Sequence, residues 1–233
     1  MKKIIFLVSL LASTLTFASG NLHLDKAPGD LHDQASLQRG AKTFVDNCLS
    51  CHNAQAMRYN RLRDIGLTEQ QIKEGYIPTD SKVGELMKVA MDKKDAKEWF
   101  GATPPDLSVI ARSRGTDWLY TFLRGYYRDE SRPSGWNNIA FASVGMPHVF
   151  YGLQGEQVLA HEGGNSKLVL DKPGKLKPAE YDAMVADLVN YLDFMGEPAK
   201  LKRQTLGIYV LLFLLVLLVV SYKLKEEYWK DIH

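Results

Sequence analysis

The residues with the most distinctive chemistry are Cys48, Cys51 and the histidine that follows them, His52. These are the only two cysteines in the sequence. Two cysteines separated by two residues can form a disulfide, a thiol-exchange pair, half of a zinc site, or the attachment point of c-type haem. Only haem attachment uses all three residues, with two thioether bonds and the histidine as an axial iron ligand. The motif therefore predicts one covalent haem c.

Zinc binding and thiol exchange are less favoured by the surrounding sequence. A zinc site needs about four ligands, and the other candidate histidines have no paired spacing, namely His23, His32, His148 and His161. A thiol oxidoreductase normally places its cysteines at the start of a helix that follows a strand. Here the pair follows a predicted helix, which is not typical of a thiol oxidoreductase.

The second axial ligand must come from elsewhere in the chain, and the candidates are the methionines Met57, Met87, Met91, Met146, Met184 and Met195. Four of them have the helical spacing of core residues, and Met57 is too close to His52 to reach the opposite haem face easily. Met146 lies in an irregular segment, where Gly145 permits close approach and Pro147 stiffens the backbone. We predict Met146 as the ligand, with His148 as the alternative. A haem iron without a second protein ligand would instead indicate gas binding or peroxidase chemistry.

The elements that must position these residues are predicted to be mostly helical. A first helix over residues 33–47, with Asp33 as its N-cap, leads directly to Cys48. Short helices are predicted over 68–74 and 83–91, a further one over 118–127 with Asp117 as its cap, and a long one from Pro178 that ends near Gly196. Residues 128–150 are predicted to form a loop, and 156–160 and 167–170 to form a small β-hairpin insertion.

The N-terminus has the pattern of a secretory signal peptide over residues 1–18. Lys2 and Lys3 precede an apolar run that is too short to span a membrane, and small residues precede a cleavage point after Ala18. An uncleaved N-terminal anchor is the alternative.

A second apolar run, over residues 206–222, carries no charge for 17 residues. As a helix it would be about 26 Å long, which is close to the thickness of the hydrocarbon core. With its flanks it predicts a transmembrane anchor over 200–226 and a cytoplasmic tail over 227–233. A buried core helix is the alternative, but this run has no polar face.

Together the two ends predict a single-pass protein of a bacterial inner membrane, with residues 19–199 as a domain on the periplasmic side. The signal peptide decides this orientation, because basic residues flank both ends of the anchor. Residues 19–199 carry 21 basic and 24 acidic side chains, a net charge of −3. The basic pI of about 8.4 belongs to the anchor region, so it gives no support for nucleic-acid binding, and the acidic domain suits a basic soluble partner.

Taken together, these motifs resemble those of the cytochrome c1 family, the haem-bearing subunit of ubiquinol:cytochrome c reductase. The likeness covers nearly the whole chain. Small diffusible c-type cytochromes share only the haem motif and the Met-Pro pair, whereas a Pro-Pro-Asp-Leu-Ser element and a C-terminal span are more specific. The segments that carry the resemblance are 36–40, 48–52, 104–108, 111–114, 123–126, 146–147 and 197–207.

The resemblance implies a mostly α c-type cytochrome domain and a set of haem-site residues. Thioether bonds would form at Cys48 and Cys51, with His52 and Met146 as axial ligands. Arg114, with Arg112 as the alternate, would pair with a haem propionate. The haem would pack against Pro104 and Pro105. One departure is the Pro-His-Val-Phe sequence after Met146, where many members have a longer proline-rich run.

The function implied by the resemblance is outer-sphere electron transfer, as the electron-carrying subunit of an oxidoreductase complex with no substrate chemistry of its own. The donor would be a Rieske iron-sulfur protein and the acceptor a soluble cytochrome c, beside a cytochrome b subunit in the same membrane. Rival functions are a membrane-anchored c-type subunit of a terminal oxidase, and a haem gas sensor or peroxidase.

Overall fold

The computed structural model describes residues 23–77, 81–89, 91–162 and 165–231. The predicted signal peptide over 1–18 lies outside the described residues. About half of the described part of the chain is helical, and its α-helices are α1 (Gln34–Asn47), α2 (Glu69–Gly75), α3 (Lys93–Phe100), α4 (Ile110–Arg114), α5 (Thr116–Arg124), α6 (Tyr151–Gln154), α7 (Pro178–Gly196) and α8 (Lys200–Tyr228). A 3-10 helix, Tyr59–Ile65, lies between the first two.

The strands form three antiparallel pairs. They are β1 (Ala54–Arg58) with β2 (Leu86–Met87), β3 (Tyr126–Arg128) with β4 (Trp136–Asn138), and β5 (Gly155–Glu162) with β6 (Asn165–Pro173). The last pair contains the predicted hairpin, since residues 158, 159 and 160 face residues 169, 168 and 167. The predicted fold class, mostly α with a small hairpin and an apolar C-terminal helix, is confirmed.

The core is organised around the contact between α1 and α7. Phe44 of α1 and Tyr191 of α7 are both fully buried, and their ring centroids lie 5.6 Å apart. The backbones approach very closely at Gly40, where a Cβ atom would lie only 2.0 Å from the Asp187 carbonyl oxygen. At the start of α1, the Asp33 carboxylate accepts a hydrogen bond from the Ser36 N–H at 3.0 Å, as the predicted N-cap requires.

The predicted helix over 83–91 is wrong, because residues 86–87 form a short strand instead. Met87 is fully buried and pairs with Ala54 across the β1–β2 ladder. Tertiary pairing therefore overrides a local pattern in which Met87 and Met91 had helical spacing.

The predicted helix over 118–127 is wrong in both its cap and its end. Helix α5 begins at Thr116 after Gly115, and the Asp117 carboxylate accepts a hydrogen bond from the Ala27 N–H at 2.9 Å rather than capping the helix. The helix ends at Arg124, after which the chain enters β3 and pairs with β4. Asp117 thus attaches the N-terminal segment to α5, which is a long-range contact that local spacing does not show.

Helix α8 is 29 residues long, and none of its side chains is buried against the rest of the protein. It is long and apolar enough to cross a membrane, with a length of about 43 Å. The alternative interpretation of a buried core helix is therefore wrong.

Candidate haem-binding site

The two cysteines and the histidine lie on one tight turn at the end of α1. The Cys48 N–H continues the helix by donating to the Phe44 carbonyl at 2.8 Å, and the His52 N–H donates back to the Cys48 carbonyl at 2.8 Å. Both cysteines are free thiols. Burial raises the pKa of Cys48 to about 12, with a smaller contribution from the nearby Cys51, so Cys48 is a neutral thiol at pH 7.

His52 is held in one orientation by a backbone acceptor. It is buried, with 8% of its surface exposed, and its Nδ1 lies 2.8 Å from the Pro105 carbonyl oxygen. A carbonyl can only accept, so Nδ1 carries the proton and Nε2 keeps a free lone pair. Burial lowers the pKa of His52 more than the Pro105 hydrogen bond and the Asp106 charge raise it. The imidazole is therefore neutral, which is the form that binds a metal.

A cavity of about 330 Å³ opens beside this turn, within the size range of ligand pockets. Its walls come from the cysteine turn, residues 100–107, α4 and α5, the loop over 141–150, and α7. Almost all of the lining is apolar. The predicted site residues that line it are Cys48, Cys51, His52, Pro104, Pro105, Arg114 and Met146.

Met146 is partly buried and lines the same cavity as His52. The loop that carries it is fixed by buried side chains on both sides, Val144 and Phe150. His148, the alternative ligand, is not among the residues that line the cavity. Its ring is buried against Tyr126 instead, so the structure favours Met146 of the two.

The structure separates the two candidate arginines. Arg114 lines the cavity, with its guanidinium carbon 5.1 Å from the Trp118 ring centroid. Arg112 does not line the cavity. Its side chain packs against the end of α7 instead, where a Cβ atom added to Gly196 would lie 3.3 Å from the Arg112 Cγ. Only Arg114 is placed to meet a charged group at the edge of the cavity.

Sequence reasoning missed several residues that shape the site. The cavity wall includes Phe100 at the end of α3, Phe141 and Val149 from an irregular segment, and Leu188 from the buried face of α7. For Phe141 and Val149, the only available signal is an apolar side chain in an irregular segment. The side-chain contacts of Asp106 are not visible in the sequence either, although Asp106 belongs to the Pro-Pro-Asp-Leu-Ser element.

The residues at this cavity fit a haem group. Two cysteines with free thiols, a histidine with one unbonded ring nitrogen and a methionine line an apolar cavity, and this set of residues suits a covalently attached haem with histidine and methionine as axial ligands. Together with the exposed apolar helix α8, the fold and the site define a c-type cytochrome domain with a C-terminal membrane-spanning helix.

Comparison with known proteins agrees with this class. The Cytochrome C1 family model matches residues 25–232. The chain is 48% identical over 244 residues to cytochrome c1 of Allochromatium vinosum, covering 100% of both chains. The chain belongs to the cytochrome c1 family, and this membership supports a haem c cofactor, electron transport in a respiratory cytochrome bc1 complex, and attachment to the membrane.

Two further similarities concern a relative with a different name and a solved structure. The chain is 55% identical over 234 residues to a Nitrosomonas europaea protein named ammonia monooxygenase gamma subunit, covering 100% of this chain and 99% of the relative. The protein also matches a chain of a solved structure described as "Hyperthermophilic respiratory Complex III". The match covers 100% of this protein and 98% of that chain, with 18% sequence identity and a TM-score of 0.46.

Proposed function

We propose that the protein carries single electrons through a haem c bound covalently to Cys48 and Cys51, with His52 and Met146 as axial ligands. The electron would come from a Rieske iron-sulfur protein and pass to a soluble cytochrome c. The observation that carries the proposal is that all four side chains line one apolar cavity, while the Nδ1 of His52 is already committed to Pro105.

When bound, the haem supplies a reversible one-electron couple at its iron. The protein holds that group and adjusts its potential. His52 presents Nε2 in a fixed orientation because its other nitrogen is hydrogen-bonded. The Met146 thioether would serve as the second ligand, a type of ligand that raises the potential of a histidine-ligated haem, and the apolar walls would exclude water.

The route for electrons would be the exposed part of the cavity lining. Several residues that line the cavity are also exposed to solvent, namely Ala102, Thr103, Pro105, Phe141, Pro147 and Val149. At these residues a partner would approach within electron-transfer distance without forming a bond.

We propose further that α8 anchors the chain in a bacterial inner membrane, with the domain on the periplasmic side and beside a cytochrome b subunit. The predicted signal peptide supports this orientation. The net charge of −3 over residues 19–199 suits a basic soluble acceptor.

Covalent attachment can be tested by denaturing electrophoresis followed by a haem stain. The wild-type band should stain, Cys51→Ser should lose most of the stain, and Ser50→Ala should keep it as a matched control on the same turn.

Carbon monoxide should bind slowly or not at all to the native reduced protein, because both axial positions are filled. A colourless wild-type protein, or rapid carbon monoxide binding, would contradict the proposal.

A second candidate role follows from the name of the Nitrosomonas europaea relative, since that name assigns it to a monooxygenase. The haem site would be the same in either assembly, so the two roles differ in their partners. Gentle solubilisation and affinity purification of the full chain from its native membrane decides between them. Recovery with cytochrome b and a Rieske protein supports our proposal, whereas recovery with monooxygenase subunits or with copper-containing oxidase subunits contradicts it.

A further inference from the structure

A carboxylate outside the haem cavity, that of Asp106, joins the two chain segments that meet at His52. Its Oδ2 accepts a hydrogen bond from the Gln55 N–H at 2.9 Å, and its Oδ1 accepts one from the Ser108 N–H at 2.8 Å. The first donor belongs to the segment that follows His52. The second belongs to the segment that begins with Pro105, whose carbonyl accepts the His52 hydrogen bond.

Two further hydrogen bonds connect the same segments. The Leu107 N–H donates to the Asn53 carbonyl at 2.8 Å, and the Ala56 N–H donates to the Ser108 hydroxyl oxygen at 2.9 Å. Ser108 is buried, with 4% of its surface exposed, whereas Ala56 is exposed, so this last bond is partly shielded from water. Residues 53–56 and 105–108 are therefore connected over their whole length, and the contact between His52 and Pro105 lies at one end.

Side-chain support is needed here because Pro104 and Pro105 have no N–H groups. This dipeptide cannot anchor itself by donating hydrogen bonds, so the position of the Pro105 carbonyl depends on the residues that follow it. Among these, Asp106 is attached directly to Pro105 and contacts both segments.

We propose that Asp106 is a positioning residue, whose carboxylate, together with the Ser108 hydroxyl, holds the Pro105 carbonyl against Nδ1 of His52. The inference rests on the proposed function, in which His52 binds the haem iron. A firm Nδ1–H···O bond fixes the ring orientation and increases electron donation by the imidazole. Greater donation favours the oxidised iron, so loosening the contact should raise the midpoint potential.

The negative charge of Asp106 offers a simpler explanation for a raised midpoint potential in Asp106→Asn, and the experiment must distinguish this effect of charge from an effect on the position of Pro105. Burial acts to raise the pKa of Asp106, but the hydrogen bonds from Ser108 and Gln55 outweigh it, and the pKa lies below its ordinary value. The group is therefore an anion at neutral pH, and removing its charge would by itself raise the potential of a nearby haem. Ser108→Ala removes a hydrogen bond of the same contact without changing any charge.

The test measures midpoint potentials of the full-length, haem-loaded protein in detergent for the wild type, Asp106→Asn and Ser108→Ala. Asp33→Asn is the matched control, since Asp33 also accepts one backbone N–H, at the start of α1. We expect Asp106→Asn and Ser108→Ala each to raise the reduction equilibrium constant about threefold, which is about 28 mV for one electron. Asp33→Asn should stay at the wild-type value.

A second measurement follows the His52 Nδ1 proton of the reduced protein by NMR. Its exchange with solvent should be at least about threefold faster in Ser108→Ala, because the acceptor is less firmly held. If the Asp106→Asn protein does not accumulate, the measurements on Ser108→Ala alone decide whether the inference holds.

Unchanged potential and exchange in Ser108→Ala would overturn the inference, even if Asp106→Asn shifts, because charge alone would then explain that shift. A wild-type protein without covalent haem would contradict the proposed function and the inference together. A haem-loaded wild type with an unshifted Ser108→Ala variant contradicts only the inference.

Discussion

The imidazole of His148 lies flat against the phenol ring of Tyr126, with centroids 4.7 Å apart and planes 3° from parallel. The Trp136 indole also contacts the imidazole and lies nearly perpendicular to it, with planes 81° apart and centroids 4.9 Å apart. Because His148 follows Met146 by two residues, this aromatic contact anchors the loop that carries the proposed axial ligand.

The ring of His148, rather than its nitrogens, should account for this anchoring. Both nitrogens are buried without a hydrogen-bond partner, and burial lowers the pKa of His148 to about 4 despite an opposing effect of Gln154. We expect His148→Ala to lower the free energy of unfolding by about 3 kcal/mol, because it leaves a cavity between two aromatic rings. His148→Phe should change it by less than about 1 kcal/mol, because it keeps the ring and removes unpartnered polar atoms.

Chemical denaturation of the haem-loaded protein measures these differences, and the near-infrared absorption of the oxidised form reports methionine ligation. His148→Ala should weaken that absorption, and His148→Phe should retain it. An equal loss of stability in the two variants would show that the nitrogens matter more than the ring.

The close approach of α1 and α7 makes Gly40 sensitive to substitution. An added Cβ would lie 2.0 Å from a backbone carbonyl, so Gly40→Ala must push the helices apart. We expect a loss of about 3 kcal/mol or more in unfolding free energy, and a lower yield of haem-loaded protein because α1 leads to Cys48. Gly75→Ala is the matched control, since nothing lies within 4 Å of its Cβ position; a similar loss there would show that the effect is not one of packing.

Arg124 connects three parts of the domain. Its guanidinium contacts Asp182 of α7 through two hydrogen bonds and Asp25 of the N-terminal segment through a third, and it lies 4.4 Å from the Tyr120 ring centroid. We expect Arg124→Ala to cost about 2 kcal/mol, since a partly buried, multiply bonded arginine contributes more than an exposed pair. Arg63→Ala, which removes an exposed ion pair with Glu69, should cost less than about 1 kcal/mol in the same denaturation experiment.

Sequence alone predicted the parts of this protein that depend on local pattern. The cysteine turn, α1 with its Asp33 cap, α7, the hairpin and the apolar helix α8 all carry periodicity or turn signals over a continuous stretch. The failures involve residues whose partners are distant in the chain, such as Met87 on β2 and Asp117 with its acceptor role toward Ala27. The support of His52 belongs to the same group, because the contacts of Asp106 join segments about fifty residues apart.

The position of Arg114 at the cavity predicts a difference between two neighbouring arginines. A positive charge near the haem stabilises the reduced state, so Arg114→Gln should lower the midpoint potential. Arg112→Gln removes the same charge from a side chain that does not line the cavity, and its shift should be smaller. Redox titration of both haem-loaded variants measures the two shifts, and a larger shift for Arg112→Gln would contradict the assignment of Arg114 to the haem edge.

Finally, the absence of buried side chains on α8 predicts that the domain does not need this helix to fold. A chain that ends after residue 204 keeps the ion pair between Arg203 and Glu197 but loses the apolar run. We expect it to appear in the soluble periplasmic fraction with haem attached and with an unfolding midpoint close to that of the full chain in detergent. Since the buried core lies outside α8, aggregation or loss of haem in the truncated protein would show that α8 supports the fold as well as the anchor.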